Sequence, residues 1–128
     1  MKKIKLVIQE PAVSTIISSE MMLSLPEEAS LVDAINEVDG MIKSKGDFPL
    51  AEYHSLLHMV YDPVKNRFYN QVAVTAYREP GEMVMVRDNP RAVLPEGVTV
   101  VLIPSGGCVG EWEEAIDYEK FHKALSGK

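Results

Sequence analysis

The sequence predicts an α+β domain in which a mixed β-sheet packs against one main helix. One observation is an apolar stripe with the spacing of a single helix face, made of Leu31, Ile35, Val38 and Ile42. Another is the segment Val98–Ile103, which is apolar on both faces apart from Thr99, as central strands usually are. The chain has 128 residues, 46% of them hydrophobic, which is enough for one domain with a core.

The first strands are expected to form a hairpin. Lys3–Ile8 places apolar residues on one face and lysines on the other, which is the period of a strand. Pro11 ends this strand. An extended pattern resumes over Val13–Ile17 and Met21–Leu25, and these segments supply the second half of the predicted hairpin.

The main helix is predicted over about residues 31–44. The Ser30 hydroxyl can accept a free first-turn N–H, and Asp33 lies at the positive end of the helix dipole. Gly46 suits the left-handed residue that often follows a helix. We expect Leu31, Ile35 and Val38 in the core, together with Leu102 and either Val100 or Val101.

The middle of the chain alternates turns and strands. Residues 47–58 fit either a short helix or the approach to a strand. Asp62–Asn66 is predicted as a turn and Arg67–Tyr77 as one long strand. A second turn at Glu79–Glu82 leads into a returning strand, Met83–Val86, which places two methionines on one face. The C-terminal helix or a second copy in a homodimer would cover them.

The segment Glu111–Leu125 has helical spacing and is predicted as a helix docked on the domain. Its side chains at Trp112, Ile116, Phe121 and Leu125 are too apolar to leave exposed, because burying each contributes ~1.5–3 kcal/mol. Acidic pairs such as Glu113-Glu114 are expected to be solvated.

The segments Leu25–Leu31 and Leu94–Gly107 resemble the sulfur-carrier family of ubiquitin-like β-grasp proteins, which includes the small subunit of molybdopterin synthase and the thiamine-pathway sulfur carrier. The first is similar to the turn before the family's helix. The second is similar to its terminal strand and Gly-Gly tail. The resemblance covers most of residues 4–107. It implies a β-grasp domain over residues 1–107, with the first and last strands parallel in the sheet centre, and a helical extension over residues 108–128 packed on it.

In that family the glycine pair ends the chain, and a partner enzyme adenylates the terminal carboxylate, which becomes a thiocarboxylate. The resemblance marks Gly106 and Gly107 as the carrier tail. It implies a non-enzymatic protein without a cofactor, whose partner is an adenylating enzyme or a synthase large subunit. This chain departs from the family at Val98, where an acidic residue is usual, and at Gly107, which is bonded to Cys108 and has no free carboxylate.

Three functions stay open from the sequence. The protein is carrier-like, with an internal Gly106-Gly107 that is masked or is a processing site. Alternatively, it is an auxiliary or binding subunit of an enzyme complex, in which the glycines are a plain loop. The third alternative is a small enzyme that uses Cys108 or the pair His54 and His58.

The enzymatic alternative lacks a complete set of catalytic groups. Cys108 is the single cysteine, and no histidine lies near it in sequence, so we expect a spectator thiol. His54 and His58 would share one helix face, as metal ligands can. The zincin pattern, however, needs Glu at position 55, where Ser55 stands, so no metal site is expected.

Composition restricts the partners. The net charge of −6 argues against nucleic acid, because phosphate neutralisation needs a stripe of Lys and Arg, and it favours a basic patch on a protein partner. The basic cluster Lys2, Lys3 and Lys5 is expected to be solvated. No apolar stretch reaches the ~20 residues of a membrane span, and the N-terminal lysines lack the apolar stretch of a signal peptide. We expect a cytoplasmic protein that binds no membrane.

Overall fold

The computed structural model describes residues 1–106 and 111–127, which form two sheets and four helices. The larger sheet has, in spatial order, β2 (Glu20–Leu25), β1 (Lys2–Ile8), β7 (Thr99–Ile103), β5 (Ala73–Arg78) and β6 (Glu82–Val84). The smaller sheet pairs β3 (Tyr61–Asp62) with β4 (Arg67–Phe68). The helices are α1 (Pro11–Ser14), α2 (Leu31–Lys43), α3 (Leu56–Val60) and α4 (Tyr118–Gly127).

The two central strands of the larger sheet, β1 and β7, run parallel, and the other neighbours in this sheet are antiparallel. Leu6 lies opposite Val100 in this pair. The turn before β7 is fixed by Gly97, whose N–H donates to the Lys3 carbonyl at 2.9 Å and whose φ of 79° is a conformation that glycine adopts freely. The predicted parallel centre is confirmed.

Helix α2 forms where it is predicted, and its apolar face joins the inner face of the sheet in one core. Ser30 and Asp33 make a capping box: the Asp33 N–H donates to the Ser30 hydroxyl, and the Asp33 carboxylate accepts from the Ser30 N–H at 2.9 Å. The buried residues include every predicted core position: Leu31, Ile35, Val38, Val100 and Leu102. Val101 is half-buried on the other face of the sheet.

Lys2 is not solvated, contrary to the expectation for the basic cluster. Only 1% of it is exposed, and its Nζ donates to the carbonyls of Glu27, Ala29 and Leu94 at 2.6, 2.8 and 2.6 Å. Three acceptors satisfy all three ammonium protons, which makes the burial tolerable. The side chain therefore fastens the start of β1 to the turn before α2 and to the segment that leads into β7.

The predicted extended segment Val13–Ile17 is wrong, because a helical turn stands there. Pro11 occupies the first position of α1, where its missing N–H costs nothing. The Glu10 carboxylate accepts from the N–H groups of Ala12 and Val13 at 2.7 and 3.1 Å. This local cap outweighs the strand preference of the β-branched residues, so the hairpin is made by β1 and β2 alone.

The predicted long strand Arg67–Tyr77 is also wrong, because a turn at residues 69–72 divides it into β4 and β5. Within that turn the Val72 N–H donates to the Tyr69 carbonyl at 3.1 Å. The guanidinium of Arg87 donates to the carbonyls of both residues. A donor from 15 residues further along the chain therefore stabilises the break. The returning strand predicted over Met83–Val86 forms as β6, which begins one residue earlier and ends at Val84.

The C-terminal helix begins at Tyr118, seven residues after the predicted start, and residues 111–117 are not helical. Phe121 is buried, and Ile116 and Leu125 pack against the core, so the predicted docking holds for these side chains. Trp112 is 60% exposed, so its predicted burial is wrong.

The methionine face that the sequence places on the returning strand is open in the described part of the chain. Met83 is 62% exposed and Met85 is 83% exposed, so the C-terminal helix does not cover them. Residues 44–55 have no regular helix or strand, and α3 resolves the ambiguity of the segment before Tyr61 in favour of a short helix. Cover of the methionines by a second copy of the chain stays a prediction.

Candidate functional site

The candidate tail leaves the sheet at the end of β7. Pro104 is buried, and Ser105 and Gly106 are exposed. The Gly106 N–H donates to the Ile103 carbonyl at 3.1 Å, which closes a tight turn. Gly107, the second glycine of the predicted carrier tail, and Cys108, the possible thiol, lie outside the described residues, and their roles stay predictions.

Glycine is required at position 106 by packing on the domain itself. A Cβ on Gly106 would overlap the Ile103 side chain, lying 2.8 Å from its Cβ, and would reach the Ala73 Cβ at 3.4 Å. Real Cβ atoms do not approach at the shorter distance, so a larger residue would have to move the turn or Ile103. The packing of the domain therefore explains why position 106 is glycine, whether or not an enzyme receives the tail.

Residues 111–117, called the returning segment below, lie against the domain and cross the turn between β4 and β5. The Arg67 guanidinium donates to both Glu113 carboxylate oxygens, at 3.1 and 2.8 Å, and the Asn70 N–H donates to one of them at 2.8 Å. This hydrogen bond from Arg67 lowers the pKa of the Glu113 carboxyl, and Glu113 in turn raises the pKa of Arg67. Glu113 is therefore an anchor and not the solvated residue expected from the sequence.

A second fastening runs through Gln71, which is buried. Its amide Nε2 donates to the Glu113 carbonyl, and its Oε1 accepts from the Glu113 N–H, both at 2.9 Å. The side-chain amide thus pairs with one residue of the returning segment as a neighbouring strand would. Because these backbone groups are bonded across the chain, residues near Glu113 cannot join the helix that the spacing predicts.

The third fastening is at Ile116 and involves one of the candidate histidines. The Ile116 N–H donates to the Tyr69 hydroxyl at 3.1 Å, and its carbonyl lies 2.7 Å from the His58 Nε2. Since the His58 Nδ1 accepts from the His54 N–H at 3.2 Å, Nε2 carries the proton and donates to Ile116. Burial lowers the pKa of His58, which favours this neutral form.

The histidine pair does not have the predicted arrangement. His54 precedes α3 instead of sharing a helix face with His58, and its ring stacks on Tyr118 with centroids 4.0 Å apart. Both nitrogens of His58 are engaged with backbone groups, so neither is free to ligate. Residues 1–106 and 111–127 contain no group of three or more His, Cys, Asp or Glu side chains placed to hold a metal.

Sequence reasoning missed Arg67, Gln71 and Glu113 as a unit. The signal in the sequence is weak, since a polar residue on a predicted strand gives no indication of a partner more than 40 positions away.

No helix in the described residues combines the length and apolar character that crossing a bilayer requires.

No protein-family model matches the chain, and no curated protein matches it. Among solved structures, the crystal structure of small archaeal modifier protein 1 from H. volcanii aligns with a TM-score of 0.51 at 13% identity, covering 81% of this chain and 98% of that one. At this identity the likeness concerns the fold. The chain is thus an α+β protein with the ubiquitin-like β-grasp fold, as the sequence predicts, and carries a C-terminal helix in addition.

Proposed function

We propose that this protein is a non-enzymatic β-grasp protein related to the sulfur carriers, which acts through protein–protein contacts and keeps its Gly106-Gly107 sequence masked by the segment that follows. Residues 1–107 are the β-grasp domain in this proposal, and residues 108–128 are an extension packed on it. The similar solved structure is that of a small archaeal modifier protein, and that name agrees with a function exerted on or through other proteins.

The observation that carries the proposal is the fastening of residues 113 and 116 to the body. Gly106 and Glu113 both contact the folded domain, and only six residues separate them in the sequence. A carrier tail has to enter the narrow channel of an activating enzyme and present a free carboxylate. The intact chain has no carboxylate at Gly107, and the chain that follows is attached to the domain at Glu113 and Ile116. Cleavage after Gly107 would supply the carboxylate and release the tail.

The experiment compares the full-length chain with chains ending at Gly107 and at Gly106. Each is incubated with ATP and a cognate adenylating enzyme, and the adenylate or thiocarboxylate is sought by mass. We expect modification of the chain ending at Gly107 alone. The chain ending at Gly106 loses the same helix, so it controls for the removal of Phe121, and denaturant titration shows whether both shortened chains stay folded.

A second candidate function is an auxiliary or binding subunit with no chemistry at its tail. The packing of Gly106 against Ile103 and Ala73 favours it, because the domain alone explains this glycine. Folded chains that remain unmodified at every length would support this candidate over the carrier. Modification of the full-length chain would contradict the masking part of the proposal.

A further inference from the structure

The returning segment builds a cleft that the carrier proposal does not use. Its volume is about 520 Å³, and it lies between the loop before α3 and residues 112–118. Three aromatic side chains and three carboxylates line most of it: Tyr53, Trp112, Tyr118, Glu52, Glu114 and Asp117. In the described part of the chain no lysine or arginine lines this aromatic cleft.

Two of the aromatic side chains in the cleft are exposed to solvent, and one of them, Tyr118, is positioned by its neighbours. Trp112 is 60% exposed and Tyr118 is 36% exposed, although both side chains have a large apolar surface that burial would remove from water. His54 stacks on Tyr118 and His58 meets its ring nearly edge-on, with centroids 5.5 Å apart, so the position of Tyr118 is set by its neighbours. His54 covers one face of Tyr118, so Trp112 offers the most exposed aromatic surface of the cleft, and such a surface attracts cations through the ring quadrupole.

The electrostatic character of the cleft agrees with this. Burial raises the pKa of Tyr53, and the carboxylates of Glu52 and Glu114 raise it further. The two carboxylates therefore act on the same ring. His58, which its hydrogen bonds hold in the neutral form, adds no positive charge, and His54, which also lines the cleft, stacks on Tyr118. An overall charge of −6 favours the approach of a cation from solution.

We propose that the aromatic cleft binds an alkylammonium group, the end of a lysine side chain or of its N-methylated forms, presented by a basic protein partner. Aromatic faces and nearby carboxylates recognise organic cations, and the arginine probe of the test separates an ammonium group from a guanidinium group. Trp112, Glu114 and Asp117 belong to the returning segment, so the cleft exists only while that segment is in place. The proposal does not depend on any reaction at Gly107.

The test uses the full-length chain and small probes. Nα-acetyl-lysine methylamide and its trimethylated form are titrated against the acetylated methylamides of norleucine and arginine. Trp112 is the only tryptophan, so its fluorescence reports the cleft directly. We expect a saturable response to both lysine probes that weakens with added salt, and none to norleucine. An equal response to norleucine, an arginine probe that binds as tightly as lysine, or no saturable response to any probe overturns the proposal.

Variants then locate the site. Glu114→Gln is expected to weaken binding by about twofold to fivefold, the effect of one exposed carboxylate next to a cation. Glu119→Gln changes the net charge equally on a residue outside the cleft and should bind as the parent does. Trp112→Phe keeps an aromatic face and Trp112→Leu does not, so binding should survive in the first variant and be lost in the second. Because both variants lack the tryptophan, their binding is measured by the ring resonances of Tyr53 and Tyr118 in NMR spectra. Equal affinities in the matched pairs overturn the assignment.

Discussion

The guanidinium of Arg67 and the carboxylate of Glu113 meet in a two-pronged hydrogen bond across 46 positions of the sequence. Arg67 begins the short strand β4, and Glu113 lies in the middle of the returning segment. Their contact joins the smaller sheet to the C-terminal part of the chain. Substitution of either residue therefore tests directly whether residues 111–117 are held on the domain by this contact.

Replacing Glu113 by Gln should loosen this fastening. The variant keeps the size of the side chain but loses the charge and one acceptor, so we expect the free energy of unfolding to fall by about 1–2 kcal/mol, since the pair is partly exposed. Glu114→Gln, at the exposed neighbouring position, should stay within ~0.5 kcal/mol of the parent. Denaturant titration measures both, and limited proteolysis should cut residues 111–117 faster in the first variant only. Equal stabilities would show that Arg67 and Glu113 contribute nothing.

The neutral His58 predicts a pH dependence of stability. Its pKa is lowered in the folded state from 6.5, so below that pH the unfolded chain binds more protons and stability falls. His58→Gln, which keeps a donor and an acceptor but does not titrate, should lose less stability on acidification through 6.5. Asp39, whose pKa burial raises from 3.8 to about 6, has the opposite sign and stabilises the fold as the pH falls through that range.

The parent protein and the His58→Gln variant both contain Asp39, so the difference between their free energies of unfolding isolates the contribution of His58 to the pH dependence. Denaturant titrations on either side of the ordinary histidine pKa measure that difference. Parallel pH profiles for parent and variant would mean that His58 does not hold the Ile116 carbonyl as the neutral tautomer.

Two glycines should respond oppositely to the same substitution. At Gly106 a methyl group overlaps Ile103, so Gly106→Ala is expected to destabilise the fold by about 1–3 kcal/mol. At Gly40, inside α2, a Cβ meets nothing within 4 Å, so Gly40→Ala should stabilise by about 0.5–1 kcal/mol. Thermal or denaturant unfolding compares them. A neutral Gly106→Ala would remove the structural explanation for this glycine.

The buried face of α2 gives a direct test of the core. Ile35 is fully buried, so Ile35→Ala should cost about 2–5 kcal/mol. Asn36→Ala, on the exposed side of the same helix turn, should change the free energy of unfolding by less than ~0.5 kcal/mol. A loss below that limit at Ile35 in a denaturant titration would contradict the packing of α2 on the sheet.

The fold could be predicted where the determining pattern is local. The stripe from Leu31 to Ile42 and the cap at Ser30 lie within one segment, and the predicted helix forms there. The doubly apolar Val98–Ile103 likewise indicated a central strand. At Val13–Ile17 the same kind of reasoning was wrong, because strand preference competes there with a cap from Glu10 that is equally local and stronger.

The candidate site could be predicted only in part, because its geometry comes from distant residues. The pattern around Gly106 predicted a carrier tail or a plain loop after the last strand, but not the contact of Gly106 with Ala73. The helical spacing after Glu111 is real, yet Gln71 and Tyr69 take up the backbone groups that a helix needs. The spacing of apolar residues within the segment carries no information about hydrogen bonds to distant side chains.

The parallel pairing of β1 with β7 also sets when the sheet can close during synthesis. β1 leaves the ribosome first, but β7 follows roughly ninety residues later, which at ~5–20 residues per second takes about 5–20 s. In that interval β1 has only β2 beside it, and the edge that will receive β7 is an open template for foreign strands. We expect this edge of β1 to stay unpaired in the nascent chain until Ile103 has emerged.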